Sequence, residues 1–407
     1  MATLALAILG PIMTGDDTQL SGQGNPVRQA GYLLLSALTL FAIRPVRRPA
    51  AILSMPAPIV ISLVICGISL LWALAPDVGI RRLFLTSMVA WILCTAIANL
   101  RFSQITLLLR LVLATALIVN YATVFLFPDV GTHIFNEHDD IALLGDWRGI
   151  MAHKNFAGAI CAVTVLVFVF DADDVPAFLR WPTAGAAAVF LYFSQSKTSF
   201  GMLGAGVAVG FLFSYYKSRY RPLLILLLVF TALGGALWAN IYRNLTMQML
   251  NDRNAFTGRA YIWQTLGKYL DDHWSTGAGY GSFWNIGPSS PINHYAKDWL
   301  TTIASGHNGY LDLMVQLGVP AAVIVIAAMM AWPLLKLILD NSIEGQRPAL
   351  LLALLLFCIG HNMTESSLME RDIITGVFLF ITIALIWKIT DPKRMRRTSS
   401  RSEFSIA

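Results

Sequence analysis

The sequence predicts an all-α protein that crosses a membrane many times, with about twelve transmembrane helices and one large outer loop. Of its 407 residues, 56% are hydrophobic and 13% are charged, whereas a soluble domain has about 25% charged residues. Apolar runs such as 223–230 are continuous, whereas the strands of a membrane β-barrel would alternate apolar and polar residues. These observations exclude secreted, disordered, fibrous and nucleic-acid-binding proteins.

Apolar runs bounded by charged residues, Pro or Gly predict the individual spans. They lie at roughly 2–13, 29–43, 50–75, 83–99, 105–127, 151–170, 183–195, 199–216, 222–241, 308–338, 349–362 and 372–389. Some are short, because a helix needs about 17–25 residues to cross a bilayer. The first run could also be a signal peptide, but no Lys or Arg precedes Leu4, so we predict a span.

The distribution of charge predicts the orientation. Most Lys and Arg of the short loops fall on the side of the two chain ends, which predicts cytoplasmic N- and C-termini. The outer segments carry fewer, namely Arg28, Arg81, Arg82, Arg148, Lys154, Lys197 and Arg371, and they hold all seven histidines. The predicted regions are a first bundle of about nine spans (1–241), a large periplasmic loop carrying part of the site (242–306), about three further spans (307–390) and a basic cytoplasmic tail (391–407).

Two outer segments combine cations with amides or hydroxyls where a span begins. His153, Lys154 and Asn155 open one span, which predicts either a phosphate or sugar contact or simple snorkelling and helix packing. Ser196 and Lys197 lie in a hydroxyl-rich turn, which alone is also typical of an ordinary loop.

Three further segments belong to the large loop or the last outer turn. Arg259 lies near the start of a predicted helix, where an anion would bind well, although a pair with Asp252 or Asp271 is the alternative. His307 precedes Asn308 where the loop re-enters the membrane, and imidazole is a common general base. Glu365 is a carboxylate that could pair with an arginine, act as acid or base, or cap the next segment.

Other polar groups give weaker signals. The glycine-rich segment 277–281 follows no strand and favours a tight turn or a lipid-phosphate contact over nucleotide binding. His133, His138, Asp139 and Asp140 match no strong metal-ligand spacing, so a solvated acidic loop is the better interpretation. The cysteines all lie in apolar runs and are predicted to be buried thiols: Cys66, Cys94, Cys161 and Cys358.

Together these motifs resemble the bacterial O-antigen ligase and polysaccharide polymerase superfamily, especially its exopolysaccharide polymerases. The resemblance covers most of the chain and depends on the order and spacing of five short segments. These are His153-Lys154-Asn155 with Gly158, Ser196-Lys197-Thr198, Gly258-Arg259 with Trp263, Gly306-His307-Asn308-Gly309-Tyr310 with Gly318, and Thr364-Glu365-Ser366-Ser367-Leu368.

The resemblance implies a GT-C-like, membrane-embedded glycosyltransferase in the bacterial inner membrane with a periplasmic active site. It implies an undecaprenyl-diphosphate-linked oligosaccharide as donor and as acceptor, no cofactor and no catalytic metal, and a chain-length regulator or export complex as a further partner. By the same analogy Arg259 holds the diphosphate and His307 acts on the acceptor hydroxyl. We expect Glu365 to be the third catalytic group, Lys197, Lys154 and His153 to contact the diphosphate, and Asn155, Ser196, Asn308 and Tyr310 to support them.

Two other functions stay open at this point. A ligase would attach finished glycan to lipid A core or protein with the same groups. A transporter or flippase of lipid-linked sugars would carry ionisable groups at the membrane midplane, but Arg110 is the clear charge well inside a predicted span and no acid accompanies it there.

Overall fold

A computed structural model describes residues 2–9, 25–46, 51–134, 143–215, 217–220, 223, 258–296, 298–340 and 343–390. Across these ranges the chain is helical and contains no strand, apart from an isolated bridge between Thr132 and Trp147. The all-α class is therefore confirmed. Most of the predicted span 222–241, the start of the large loop and the tail 391–407 lie outside the described residues, so the span number and the region boundaries stay predictions.

The described helices follow the predicted apolar runs, with ends that differ by a few residues. They are α1 (Ala2–Leu9), α2 (Pro26–Ile43), α3 (Ala57–Ser69), α4 (Pro76–Asn99), α5 (Phe102–Leu126), α6 (Lys154–Val169), α7 (Ala177–Phe193), α8 (Lys197–Ser214), α9 (Arg259–His273), α10 (Gly309–Leu317), α11 (Val319–Leu339), α12 (Gln346–His361) and α13 (Ile374–Ile389). The predicted run 308–338 is divided at Gly318 into α10 and α11.

Five of these helices, α2, α4, α5, α8 and α11, are long and apolar enough to cross a membrane. Shorter apolar helices, including α6, α12 and α13, lie among them and are buried along most of their length. By contrast, much of α2 is exposed, including Leu34, Leu38 and Phe41. In a membrane protein, apolar residues exposed on the outside of the helix bundle contact lipid. The cysteines are buried and unpaired, as predicted.

The site depends on how α6, α8 and α12 pack. α8 packs along α12, and α6 contacts both helices. The N-terminal ends of α6 and α8 and the C-terminal end of α12 therefore meet at one end of the bundle. The segments 258–309 and 362–373 join them there through hydrogen bonds between Gly309 N–H and the carbonyls of Asn362 and Glu365.

The opposite end of α6 carries a set of charged pairs that we call the inner cluster: Arg110, Asp171, Asp173, Asp174, Arg180 and Arg347. Arg110 pairs with Asp174 at 2.9 Å, and its Nε donates to the Val167 carbonyl at 2.9 Å. Arg180 pairs with Asp173 and donates to carbonyls at the end of α6. No acid accompanies Arg110 within its predicted span, but Asp174, from the loop after α6, pairs with it.

Candidate active site

Glu365 is the centre of the candidate site. Its Oε1 accepts hydrogen bonds from Asn155 Nδ2 at 2.5 Å and from the Arg259 guanidinium at 2.6 Å. Its Oε2 lies 3.6 Å from Nδ1 of His307. We call Asn155, Arg259, His307 and Glu365 the outer cluster. The structure thus brings together four predicted site residues that are spread over more than half of the sequence.

The charge state of Glu365 follows from these neighbours. Burial raises the pKa of the Glu365 carboxyl, but the His307 imidazole and the Arg259 guanidinium outweigh burial and lower that pKa to about 2. Glu365 is therefore a carboxylate at neutral pH and cannot supply a proton there. It can orient His307 and neutralise Arg259. The acid seen to pair with Arg259 is Glu365, whereas Asp252, one of the two acids suggested for it, lies outside the described residues.

The segment Gly306–Gly309 holds His307 in a defined position. The backbone N–H of Gly306 donates to both carboxylate oxygens of Asp312, at 3.0 and 3.1 Å, and the Gly306 carbonyl accepts from the Trp263 indole at 2.9 Å. His307 itself has a positive φ of 46° and a side chain that is 39% exposed. Backbone strain of this kind persists where the surrounding structure fixes it.

Asn308 and Asn362 join this segment to the segment around Glu365. The Asn308 side chain caps α10 by accepting from two backbone N–H groups, and its own N–H donates to Ser366 Oγ at 3.1 Å. Asn362 is fully buried, and its Oδ1 accepts from both the backbone and the hydroxyl of Ser367. A side chain at Gly309 would collide with Asn362, so only glycine permits this approach. Asn362 is a positioning residue to which the sequence analysis assigned no role.

The start of α6 positions Asn155. His153 is the N-cap residue of α6, and its Nδ1 accepts from the Asn155 backbone N–H at 3.2 Å. Gly158, one turn further, allows the turn before α8 to approach, because a Cβ there would lie 2.5 Å from the Cβ of Ser196. Ser196 is buried and donates to Ser199 at 3.0 Å, so its hydroxyl serves packing in this arrangement.

The three expected diphosphate contacts other than Arg259 have different environments. Lys154 pairs with Asp146 at 2.5 Å, an acid that sequence reasoning did not single out. Lys197 is exposed at the first position of α8 and makes no ion pair within the described ranges. His153 is half-buried, and its ring packs against His133 with 5.1 Å between ring centroids. Of these three side chains, only Lys197 presents a positive charge to solvent without a carboxylate partner in the described ranges.

Several other groups near the site make contacts within the protein. The Tyr310 hydroxyl donates to the Ile359 carbonyl at 2.7 Å and so ties α10 to α12. Asp312 acts on the backbone before His307 and not on the imidazole. In segment 277–281, backbone N–H groups are bonded within the protein, such as Gly281 to Gln316 at 2.7 Å, and Arg82 binds the Gly281 carbonyl. This segment forms a tight turn.

Of the four residues considered as metal ligands, three lie outside the described residues: His138, Asp139 and Asp140. His133 is buried, and its Nε2 accepts from the Lys154 backbone N–H at 3.2 Å. Among the residues placed in the structure, no group of three or more His, Cys, Asp or Glu side chains could hold a metal ion.

Comparison with known proteins connects this geometry with a family. Residues 182–326 match the O-antigen ligase family. Over 353 residues the chain is 24% identical to the exopolysaccharide production protein ExoQ of Rhizobium meliloti (strain 1021), covering 81% of this chain and 76% of that protein. These matches confirm the resemblance to the O-antigen ligase and polysaccharide polymerase superfamily. With the apolar helices, they support a multi-pass membrane protein.

Proposed function

We propose that this chain is a glycosyltransferase that polymerises lipid-linked oligosaccharide repeat units into exopolysaccharide or O-antigen. It would act at the periplasmic face of the bacterial inner membrane, with both termini in the cytoplasm. The donor is a glycan on a polyprenyl diphosphate such as undecaprenyl diphosphate, and the acceptor is the non-reducing end of an incoming lipid-linked unit. One observation carries the proposal: His307 and Arg259 share the single carboxylate of Glu365.

The geometry supports a displacement at the anomeric carbon with inversion. Glu365 lies beside Nδ1 of His307, which leaves Nε2 to accept a proton. The acceptor hydroxyl attacks the anomeric carbon, and its proton passes to Nε2. A glycosidic C–O bond forms, and the C–O bond to the diphosphate breaks with its electron pair on the leaving oxygen. Arg259, 17% exposed, and the exposed Lys197 would stabilise the developing negative charge.

The direct test incubates purified protein with defined lipid-linked repeat units and measures glycan length. The wild-type protein should yield polymer, whereas His307→Ala should remain folded and membrane-inserted and leave single units. General base catalysis contributes about 10²- to 10⁴-fold, so the expected loss is large. Long polymer made by His307→Ala would contradict the assignment of the base.

A ligase is the second candidate, because the family that matches residues 182–326 is described as O-antigen ligase. The same charged groups would then transfer finished glycan to lipid A core or protein. Two acceptors in parallel reactions separate these functions: a lipid-linked repeat unit and lipid A core. Transfer to the core alone would establish a ligase.

A flippase has less support, since Arg110 is paired with Asp174 and bound to carbonyls at the inner end of the bundle. A midplane transport site would need that charge to face a substrate. Lipid-linked sugar that crosses vesicles containing the purified protein, with no new glycosidic bond, would favour the flippase.

A further inference from the structure

The hydrogen bonds at the start of α6 determine where His153 carries its proton. Nδ1 of His153 accepts a hydrogen bond from the Asn155 backbone N–H, so Nδ1 is unprotonated. A neutral imidazole has one N–H, which must then be on Nε2. The neighbouring His133 has the opposite arrangement, because its Nε2 accepts from the Lys154 backbone N–H. The two histidines are thus fixed as different tautomers.

His153 is also held neutral. Burial lowers the pKa of His153 to about 4, and the nearby His133, His307 and Lys154 act in the same direction, although Glu365 opposes them. The N-terminus of α6 adds a positive end of the helix dipole, which disfavours an imidazolium there. At neutral pH His153 is therefore a donor through Nε2–H and not a cation, which departs from its expected role at a diphosphate.

His307 has the complementary polarity. Its Nδ1 lies beside the Glu365 carboxylate, so the N–H is on that side and Nε2 accepts. The two histidines are connected through contacts in series: His153 to Asn155, Asn155 to Glu365, and Glu365 to His307. A sugar ring presents neighbouring oxygens of which one can donate while the next accepts. His307 as acceptor and His153 as donor, connected through the Glu365 carboxylate, match two such neighbouring sugar oxygens.

We propose that His153 binds the acceptor sugar as a neutral hydrogen-bond donor through Nε2–H, next to the hydroxyl that His307 deprotonates. The proposal rests on the proposed function. His153 is only half-buried, so solvent or a ligand can reach its ring.

The test uses His153→Asn in the full-length protein. Asn is a favoured N-cap residue, so the variant should keep the cap of α6 and its thermal unfolding temperature while it lacks the Nε2–H donor. Equilibrium titration with a short, diphosphate-free acceptor glycan should show about 10-fold weaker binding, as expected for one lost hydrogen bond. His294→Asn, which changes an exposed histidine, is the matched control.

The possible results are distinct. Unchanged acceptor affinity in His153→Asn would overturn the proposal, and so would weaker binding of polyprenyl diphosphate alone, which would assign His153 to the donor. ¹⁵N NMR of histidine-labelled protein provides a second test, since the signal lost in His153→Asn should be that of an Nε2-protonated ring. An Nδ1-protonated ring would also overturn the proposal. These binding and NMR measurements do not need turnover, so failure of the wild type to make polymer would contradict the proposed function alone.

Discussion

The two ends of α6 carry charged clusters that differ in how carboxylates are shared among their partners. In the inner cluster each arginine has its own acid: Arg110 with Asp174, Arg180 with Asp173 and Arg347 with Asp171. In the outer cluster one carboxylate, Glu365, serves a guanidinium, an amide and an imidazole.

The difference indicates what each end does. The charges of the inner cluster are matched one to one, and Arg110 and Arg180 also bind carbonyls at the end of α6. Such contacts fix helices relative to each other. A shared carboxylate leaves hydrogen-bonding capacity on Arg259 and His307 for a substrate, because neither is fully satisfied by one partner. The inner cluster is therefore interpreted as an anchor and the outer cluster as a reactive site.

After His307→Ala, the largest effect should come from Glu365→Gln in the outer cluster. The amide cannot provide the negative charge beside His307 and Arg259, so the glycosyl transfer rate should fall on the order of 10²-fold. Single-turnover assays with defined lipid-linked units measure this rate. Glu370→Gln is a suitable control, because Glu370 pairs only at 3.9 Å with Arg371. Transfer by Glu365→Gln within a factor of two of wild type would remove the distinction between the clusters.

Arg110→Leu in the inner cluster should change stability and leave the chemistry intact. The substitution deprives the Val167 and Asp171 carbonyls of their donor, and unsatisfied buried groups cost about 1–3 kcal/mol each. Asp174 has a side chain that is 53% exposed and can be rehydrated, so we expect a loss of about 2 kcal/mol in total. Thermal unfolding in detergent measures the loss. Reduced transfer per folded molecule with unchanged unfolding would show that Arg110 is not an anchor.

The end of α6 that carries the outer cluster should show a pH dependence of stability through His153. The pKa of His153 is about 4 in the folded protein and 6.5 in its ordinary state, so the unfolded chain binds more protons between these values. The contribution of His153 to stability is thus complete above pH 6.5 and declines as the pH falls towards 4. As the pH falls through this window, the unfolding temperature of the wild type should fall relative to that of His153→Asn. Parallel curves throughout would contradict a neutral His153.

Sequence reasoning predicted the helical class and four residues that the structure brings together, because both leave local signals. Apolar runs give the spans, and polar residues at the ends of such runs, such as His307 and Glu365, indicate the site. Most of the pairings were not predictable, because they join residues far apart in the chain. Asp174 is 64 residues from Arg110. Asp146 is only eight residues from Lys154, but that spacing alone does not show that the two side chains pair. The division of the run 308–338 did have a local signal, because Gly318 and Pro320 lie where α10 ends and α11 begins.

Asn362 is a second residue whose role depends on contacts distant in the sequence. Its side chain receives two hydrogen bonds from Ser367 and donates to the Cys358 carbonyl, so it fixes the segment that holds Glu365. The only local signal is an amide directly after an apolar run, and such a residue is also typical of an ordinary helix end. Its role depends on the approach of Gly309 from another part of the chain.

The smallest effect should come from Asp173→Asn, although Asp173 forms a 2.9 Å ion pair with Arg180 in the inner cluster. The Asp173 side chain is 84% exposed, so water screens the pair and replaces it easily. Arg180 also donates to the Phe168 and Val169 carbonyls, and these bonds hold it in place without the acid. We expect the unfolding free energy to change by less than about 0.5 kcal/mol. A loss as large as that of Arg110→Leu would mean that the ion pairs, and not the bonds to the end of α6, make the inner cluster an anchor.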